Sequence, residues 1–539
     1  MMNIRKILLT CAALAALSSP AMADDQAILQ RLDAMQKMIE AQQTQIEAQK
    51  NEIAGLKKAL GKPATKKVAI AQPAEAPAPL AQKIEAQAVR LDELATKFEM
   101  AQSAARIEKA EAPQWSFPGG RPTIQSSDGR FSLQLRLLGQ FDAAYYMQDS
   151  RARQLAAANG PDLSSGTNFR RAQIGFQGKL FGDWSYLFNT EFGGSSGTET
   201  GGRVQSLYIQ YDGLKPFTFR IGAYPPPGGL EDNTSSGDTI FLERAAASDI
   251  MRNAVGGDGR DAATISYSTD KLYAAFSYTG SKVGSAAEFD EQSALLARLS
   301  GVVYSDADTR IVLSASGAYL LRAPDGSAAT LATRSVTLSS TPELTVDSTG
   351  TKLISTGAIN TEHLTVWGAE SGASWRSLYG QAGYFHYNLE RRASALSDLN
   401  FSGWYAQATW VLTGESRGYN TSNAAFTSPK PRIPFSLEGG GWGAWELAAR
   451  YSVVDLNDHE GAIGLAMPVE GIRGGAQKIW TLGLNWYPNN ALRFALDYEH
   501  IEIDRIGTIP ALAGVHPVIS NAQVGQTMNV IAMRSQLSL

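Results

Sequence analysis

The chain has 539 residues, 51 of them glycine, with 44% hydrophobic and 19% charged side chains. Acidic residues number 52 against 48 basic ones, which excludes the basic footprint of a general nucleic-acid binder. Cys11 is the only cysteine, so structural disulfides and cysteine-ligated metal sites are excluded, and five scattered histidines leave little for a histidine cluster.

Arg5 and Lys6 precede the apolar run Ile7–Leu17 and a small-residue exit, Ala21-Met22-Ala23. This is the pattern of a secretory signal peptide over residues 1–23. The run is too short to span a bilayer as a helix, which takes about 20 apolar residues. From residue 24 apolar positions recur every four and three residues: Ile28, Leu32, Met35, Ile39, Gln42, Ile46, Gln49, Ile53, Leu56 and Leu60. Such spacing predicts an α-helical coiled coil over 24–60, with Gln42 and Gln49 as polar seam positions that fix register. Residues 61–82 are rich in Pro and Ala and read as a semi-extended linker. Ile84, Leu91, Leu94 and Phe98 resume the heptad over 83–112, until Pro113 stops it.

From residue 113 to 539 the period changes to two. Ala172, Ile174, Phe176 and Leu180 alternate with Arg171, Gln173, Gln177 and Lys179, and Trp480, Leu482, Leu484 and Trp486 alternate with Thr481, Gly483 and Asn485. Sixteen such segments are expected: 131–147, 168–181, 184–193, 203–212, 217–224, 261–269, 271–280, 291–304, 309–321, 361–371, 374–389, 401–414, 442–454, 476–488, 491–503 and 526–539. Short and long connections alternate, as periplasmic turns and outer loops do in an all-β transmembrane barrel of about sixteen antiparallel strands. Residues 415–441 break the rhythm, being long where a turn is due. A barrel of this size is too wide for side chains to fill and leaves an aqueous channel.

Strand parity places Arg136, Arg171, Lys179, Arg220, Arg298, Arg310, Arg450, Arg493 and Arg534 on the lumen face, with Asp142, Glu191, Glu370, Glu446, Asp497 and Glu499. An excess of arginine and lysine there favours anions, whose lost hydration it replaces. The same charges could equally solvate the wall and pair with one another. The long loop 225–258 carries Glu231, Asp232, Asp238, Glu243, Arg244, Asp249 and Arg252, and could either narrow the pore or lie on the surface.

Enzymatic motifs fail on context. Gly193–Gly197 fits G-x-S-x-G but lacks a following helix, His459-Glu460 lacks the second histidine of H-E-x-x-H, and no G-x-x-x-x-G-K-[ST] occurs. No catalytic residue, metal site or cofactor is expected.

Four stretches carry a family resemblance: Asn168–Trp184 (NFRRAQIGFQGKLFGDW), Phe241–Arg244 (FLER), Ala408–Tyr419 (ATWVLTGESRGY) followed by Pro429-Lys430-Pro431, and Gly443–Ser452 (GAWELAARYS). Together they resemble the phosphate-selective porin O and P family. The resemblance implies a trimeric sixteen-stranded porin of the bacterial outer membrane, with an inward third loop, a long 415–441 connection and arginines guiding anions. It matches Arg170 and Arg171 to the family's arginine pair. It also implies that Glu243, Arg244 and Arg252 sit in the constriction loop. Phosphate-selective members typically carry a lysine shortly before the ER pair, where this chain reads Gly237-Asp238, and Leu539 replaces the usual terminal aromatic.

The resulting expectation is an outer-membrane porin passing small anions, phosphate or related oxyanions among them. Its expected contacts are outer-membrane lipid, small anionic solutes, two further copies of the chain, and the cell wall through a periplasmic coiled coil, with no nucleic acid. Two other readings fit the same sequence: a structural tether joining barrel to cell wall, and a porin for neutral or cationic solutes.

Overall fold

The computed structural model describes residues 44, 47–48, 51, 54–55, 78–148, 163–194, 202–284, 290–325, 334–347, 350–392, 395–509, 511 and 517–539. It divides into two compact units, 1–100 and 101–539. The expected signal peptide lies outside the described residues, as do nearly all the positions of the first heptad run. The few described between 44 and 55 are helical. A helix, α1 (Ala78–Glu111), covers the second heptad run and starts inside the expected linker. Pro79 sits in its first turn, where a missing N–H costs nothing.

The second unit is a sheet of sixteen antiparallel strands: β1 (Ser132–Gln148), β2 (Gly166–Leu180), β3 (Trp184–Glu191), β4 (Arg203–Tyr211), β5 (Phe217–Ala223), β6 (Arg260–Ser268), β7 (Leu272–Lys282), β8 (Ser293–Ser305), β9 (Thr309–Arg322), β10 (Ile359–Trp375), β11 (Leu378–Arg391), β12 (Leu399–Val411), β13 (Ala444–Asp458), β14 (Ile472–Tyr487), β15 (Leu492–Asp504) and β16 (Gln526–Ser538). Each end lies within four residues of the expected one. β16 pairs with β1 from Met528↔Gln148 to Ser538↔Leu138, so the sheet closes and no edge remains. Among the described residues no helix is long and apolar enough to cross a membrane.

Alternation builds the two faces. On β14, Trp480 and Leu482 point outward and stay more than half exposed, while Thr481 and Asn485 point inward and are buried. One expected turn moved: the break expected at residues 372–373 is instead continuous strand, and β10 runs on to Trp375. Gly372 is there for space, since a Cβ on it would meet the Phe426 ring at 2.7 Å.

The lumen is not uniformly polar. Phe385 and Tyr387 of β11, Phe401 and Tyr405 of β12, Ile479 of β14 and Val530 of β16 face inward and are fully buried. They pack with Ile250, Met251 and Val255 of helix α2 (Ala246–Val255), which belongs to the long loop between β5 and β6. That loop packs against the inner faces of β11, β12, β14 and β16.

Candidate functional site

The β5–β6 loop is fastened to the far wall by its backbone. Glu370 of β10 accepts the N–H groups of Leu230 (2.5 Å) and Glu231 (3.1 Å). Arg493 of β15 donates to the carbonyls of Thr239 and Ile240, Asp497 accepts Leu242 N–H, Arg534 of β16 donates to the Leu242 carbonyl, and Arg450 of β13 donates to that of Glu243. Gly483 lets the Phe241 ring approach, since a Cβ would stand 3.1 Å from it. A buried loop must satisfy its peptide groups somewhere, and here the wall does it.

A second segment enters from the opposite end. The connection 412–443 lies at the short-turn end of the barrel, yet its hairpin Arg417–Asn420/Ala425–Pro429 reaches inward. Arg417 forms a two-pronged pair with Glu446 (2.7 and 2.8 Å). Arg298 donates to the carbonyls of Asn423 and Ala424, and the Arg310 guanidinium lies over the Tyr419 ring. Ser428 donates its N–H (3.0 Å) and hydroxyl (2.6 Å) to Asp238, locking hairpin and loop together. The long connection that broke the loop rhythm therefore lines the water path on the short-turn side.

Two cavities flank the loop, about 540 Å³ toward the short-turn end and about 620 Å³ toward the long-loop end. Gln205, Arg244, Arg252 and Asp258 line both, which makes them the narrow point between the chambers. Arg136 and Arg220 line the first chamber with Arg121 and Lys430. Arg170, Arg171 and Glu243 line the second with Arg203, Lys282 and Lys352.

Arg170 and Arg171 both reach the lumen because β2 is bulged there. Arg171 pairs with Gln140 and Phe169 with Phe141, leaving Arg170 as the extra residue. Simple parity put only Arg171 inside. Arg170 donates to Glu243 at 2.5 and 3.0 Å, while Arg171 donates to the neutral Gln140 amide at 2.7 Å. Burial works to raise the Glu243 carboxyl, but Arg170, Arg171 and Arg534 overwhelm it and hold it well below the usual carboxylate range.

The cations differ by partner. Along the water path several rest on neutral groups: Arg136 on Gln177 (2.9 Å), Arg171 on Gln140, Arg220 on Gln210 (2.7 Å) and the Tyr208 ring (4.3 Å), and Arg244 on the carbonyls of Glu231, Asp232 and Thr234. Arg244 is destabilised as a cation by its burial and by neighbouring Arg252. Arg170 and Arg252 are the path arginines with carboxylate partners, Arg252 bonding Asp232 and Asp258 at 2.5 Å. Behind the loop, Arg450 bonds Glu343 and Arg534 holds Asp142 (2.7 Å, two-pronged), while Arg493 and Arg298 rest on backbone carbonyls. Parity alone could not tell these partners apart.

Several lumen assignments are corrected accordingly. Arg450 and Arg298 are buried, 1% and 3% exposed, behind the loop and the hairpin, and line neither chamber. Arg310 supports the hairpin, and Lys179 lies exposed next to the last residue of β2, away from both chambers. Arg121, Arg203, Lys282, Lys352, Lys430 and Asp258 were missed. Lys430, in its Pro-Lys-Pro frame, and Asp258, at the end of the 225–258 loop, stood in stretches already singled out.

The model of the family "Phosphate-selective porin O and P" matches residues 146–523. The chain belongs to that family. Its relatives include Porin O of Pseudomonas aeruginosa, 28% identical over 395 residues, which covers 71% of this chain and 86% of that protein. An uncharacterized protein of Caulobacter vibrioides is 32% identical over 153 residues, 28% of each chain. Among solved structures, the chain is similar to an anion-selective porin from Comamonas acidovorans (12% identity, TM-score 0.44, covering 76% of this chain and 100% of that one). It is likewise similar to OmpT of Vibrio cholerae (9% identity, TM-score 0.44, 76% and 98%). In this porin Arg170, Arg171, Glu243 and Arg244 all line the long-loop chamber.

One acid of the loop responds to pH near neutrality. Burial pushes Glu231 up to about 7 against the pull of Arg450. A carboxyl raised above its unfolded value contributes full stability below about 4.5, loses it as pH rises, and levels off above about 7. The loss across that window is on the order of 3–4 kcal/mol before relaxation. Glu231→Gln should flatten the fall in thermal stability between pH 5 and 7, read from heat-induced mobility shifts in detergent. An unaltered pH profile would show that Glu231 stays ionised.

Proposed function

We propose that this porin passes small anions passively, with phosphate and related oxyanions as the candidate substrate class. The observation that carries the reading is that cations beside the water path rest largely on amides, carbonyls and rings: Arg136 on Gln177, Arg171 on Gln140 and Arg220 on Gln210. A guanidinium whose partner is neutral keeps its charge for the permeating ion, and its planar fork suits an oxyanion. Asp238, at the position where phosphate-selective members typically carry lysine, is held by Ser428, and Lys430 lines the same chamber two residues further on. The test is the zero-current potential of the purified protein in planar bilayers under a KCl gradient, followed by titration with phosphate. Anion preference with phosphate-dependent block is expected. Cation preference would overturn the reading, and anion preference without block would confine it to anions in general.

We further propose that the porin is a homotrimer and that residues 24–112 form a periplasmic coiled-coil arm separable from the pore. The barrel closes its own ladder from β1 to β16 without the arm. Leu94, a seam position of the second run, is 57% exposed in the single chain, as it would be with its coiled-coil partners absent. Cross-linking in mild detergent should capture trimers; capture of monomers and dimers alone would contradict this. Deleting 24–112 behind the leader should leave a conducting barrel of unchanged unit conductance. A truncated chain unable to insert would show that the arm belongs to the pore. Weakened attachment of the outer membrane in that strain would identify the arm as a tether.

A further inference from the structure

The 412–443 connection has a second half that goes the other way. After the inward hairpin come residues 433–442 (IPFSLEGGGW), whose Phe435 and Trp442 meet outward residues at the rim. Phe435 donates its N–H to the Pro488 carbonyl (2.7 Å), and its ring stands edge-on to Trp486 at 5.2 Å. Trp486 points outward from β14, stacked on Trp445 (5.4 Å) and Phe494 (5.5 Å). The Trp442 carbonyl accepts both indole N–H groups, from Trp445 at 3.2 Å and Trp486 at 2.9 Å. Three large apolar side chains project from this stretch: Leu437 is 91% exposed, Trp442 72% and Ile433 66%.

We propose that residues 433–442 are a lipid anchor, with Leu437, Trp442 and Ile433 seated in the headgroup region of the phospholipid leaflet at the short-turn rim. The occupant is argued from continuity. The stretch is built onto an outward aromatic cluster at a strand end, where the amphipathic indole ring prefers the membrane–water boundary. Water alone would leave the apolar tip without a counterpart. The same connection carries Arg417 and Ser428, so one covalent strap ties the leaflet to the constriction. The proposal rests on the outer-membrane porin reading above.

Cys11 is the sole cysteine, so a Cys11→Ala background accepts a single thiol. Leu437→Cys in that background, labelled with a polarity-sensitive fluorophore, is reconstituted in phosphatidylethanolamine/phosphatidylglycerol vesicles with and without headgroup-proximal spin-labelled lipid. Lys271→Cys, in a short turn at the same end, is the control. A blue-shifted emission quenched at least twofold more strongly at position 437 than at position 271 is expected. Equal quenching at the two positions would overturn the anchor. So would efficient disulfide capture between two copies of the unlabelled Leu437→Cys variant, which would assign the tip to a neighbouring protomer. Planar-bilayer conductance of the same preparations separates the two claims. A conducting protein with a water-exposed label at position 437 loses only the anchor, and a lipid-quenched label there in a protein that does not conduct loses only the porin reading.

Discussion

Arg171→Glu should lower the anion-over-cation permeability ratio by roughly tenfold or more. Arg171 is 4% exposed, lines the outer chamber beside the narrow point, and has the Gln140 amide as its side-chain partner. Its charge is thus offered to the path rather than cancelled in the wall. Two unit charges about 6–8 Å apart at an effective dielectric of about 20 interact by about 2–3 kcal/mol, and reversal counts that twice before water and counter-ions screen it. A residual change of about 1.4 kcal/mol already gives the tenfold effect. Arg171→Gln removes the charge but keeps an amide, so it should fall between wild type and the reversal. Zero-current potentials in a salt gradient measure both. Unchanged potentials in the reversal would demote Arg171 to wall charge. The matching change at Lys179, which is exposed and lines neither chamber, should move selectivity far less.

The barrel was legible because lipid and lumen impose opposite chemistry on alternate residues, and sixteen repeats of that constraint leave a visible trace. Its interior was less so, for three physical reasons. The bulge at Arg170 reverses parity for one residue and announces itself by no composition cue. Second, strand parity reads every inward residue as lumen wall, and the bulky rings on both faces of Tyr384-Phe385-His386-Tyr387 have their reason in a loop that alternation does not announce. Phe385 and Tyr387 are buried against the inserted loop, and the Tyr387 hydroxyl donates to the Ala247 carbonyl. Third, sequence showed which arginines face inward but not which had carboxylates waiting. That depends on Glu343 and Asp142, which reach Arg450 and Arg534 only through the closed fold.

Arg534→Ala should release the constriction loop while the barrel persists. Arg534 is fully buried, holds Asp142 with two bonds of 2.7 Å, donates to the Leu242 carbonyl at 2.6 Å and reaches Glu243 at 3.1 Å. Removing it leaves the Asp142 carboxylate buried without its cation and strips one of the fastenings from residues 239–243. Breaking one side of a buried pair costs about 3–5 kcal/mol. The ladder bonds of β15, β16 and β1 are backbone bonds and survive the change, so the cost falls on the loop. The loop can then leave the wall and hydrate, which widens the water path and moves Arg244 away from the narrow point. Single-channel records should show higher conductance, more open-channel noise and weaker anion preference. Asp142→Asn combined with Arg534→Met removes the unpaired charge and should stay closer to wild type in stability, yet still lack the tie to Leu242. If Arg534→Ala keeps wild-type conductance and selectivity in a correctly inserted barrel, the bonds from Glu370, Arg493, Asp497 and Arg450 suffice to hold the loop. Arg534 would then serve the β16–β1 closure, through Asp142, and not the pore.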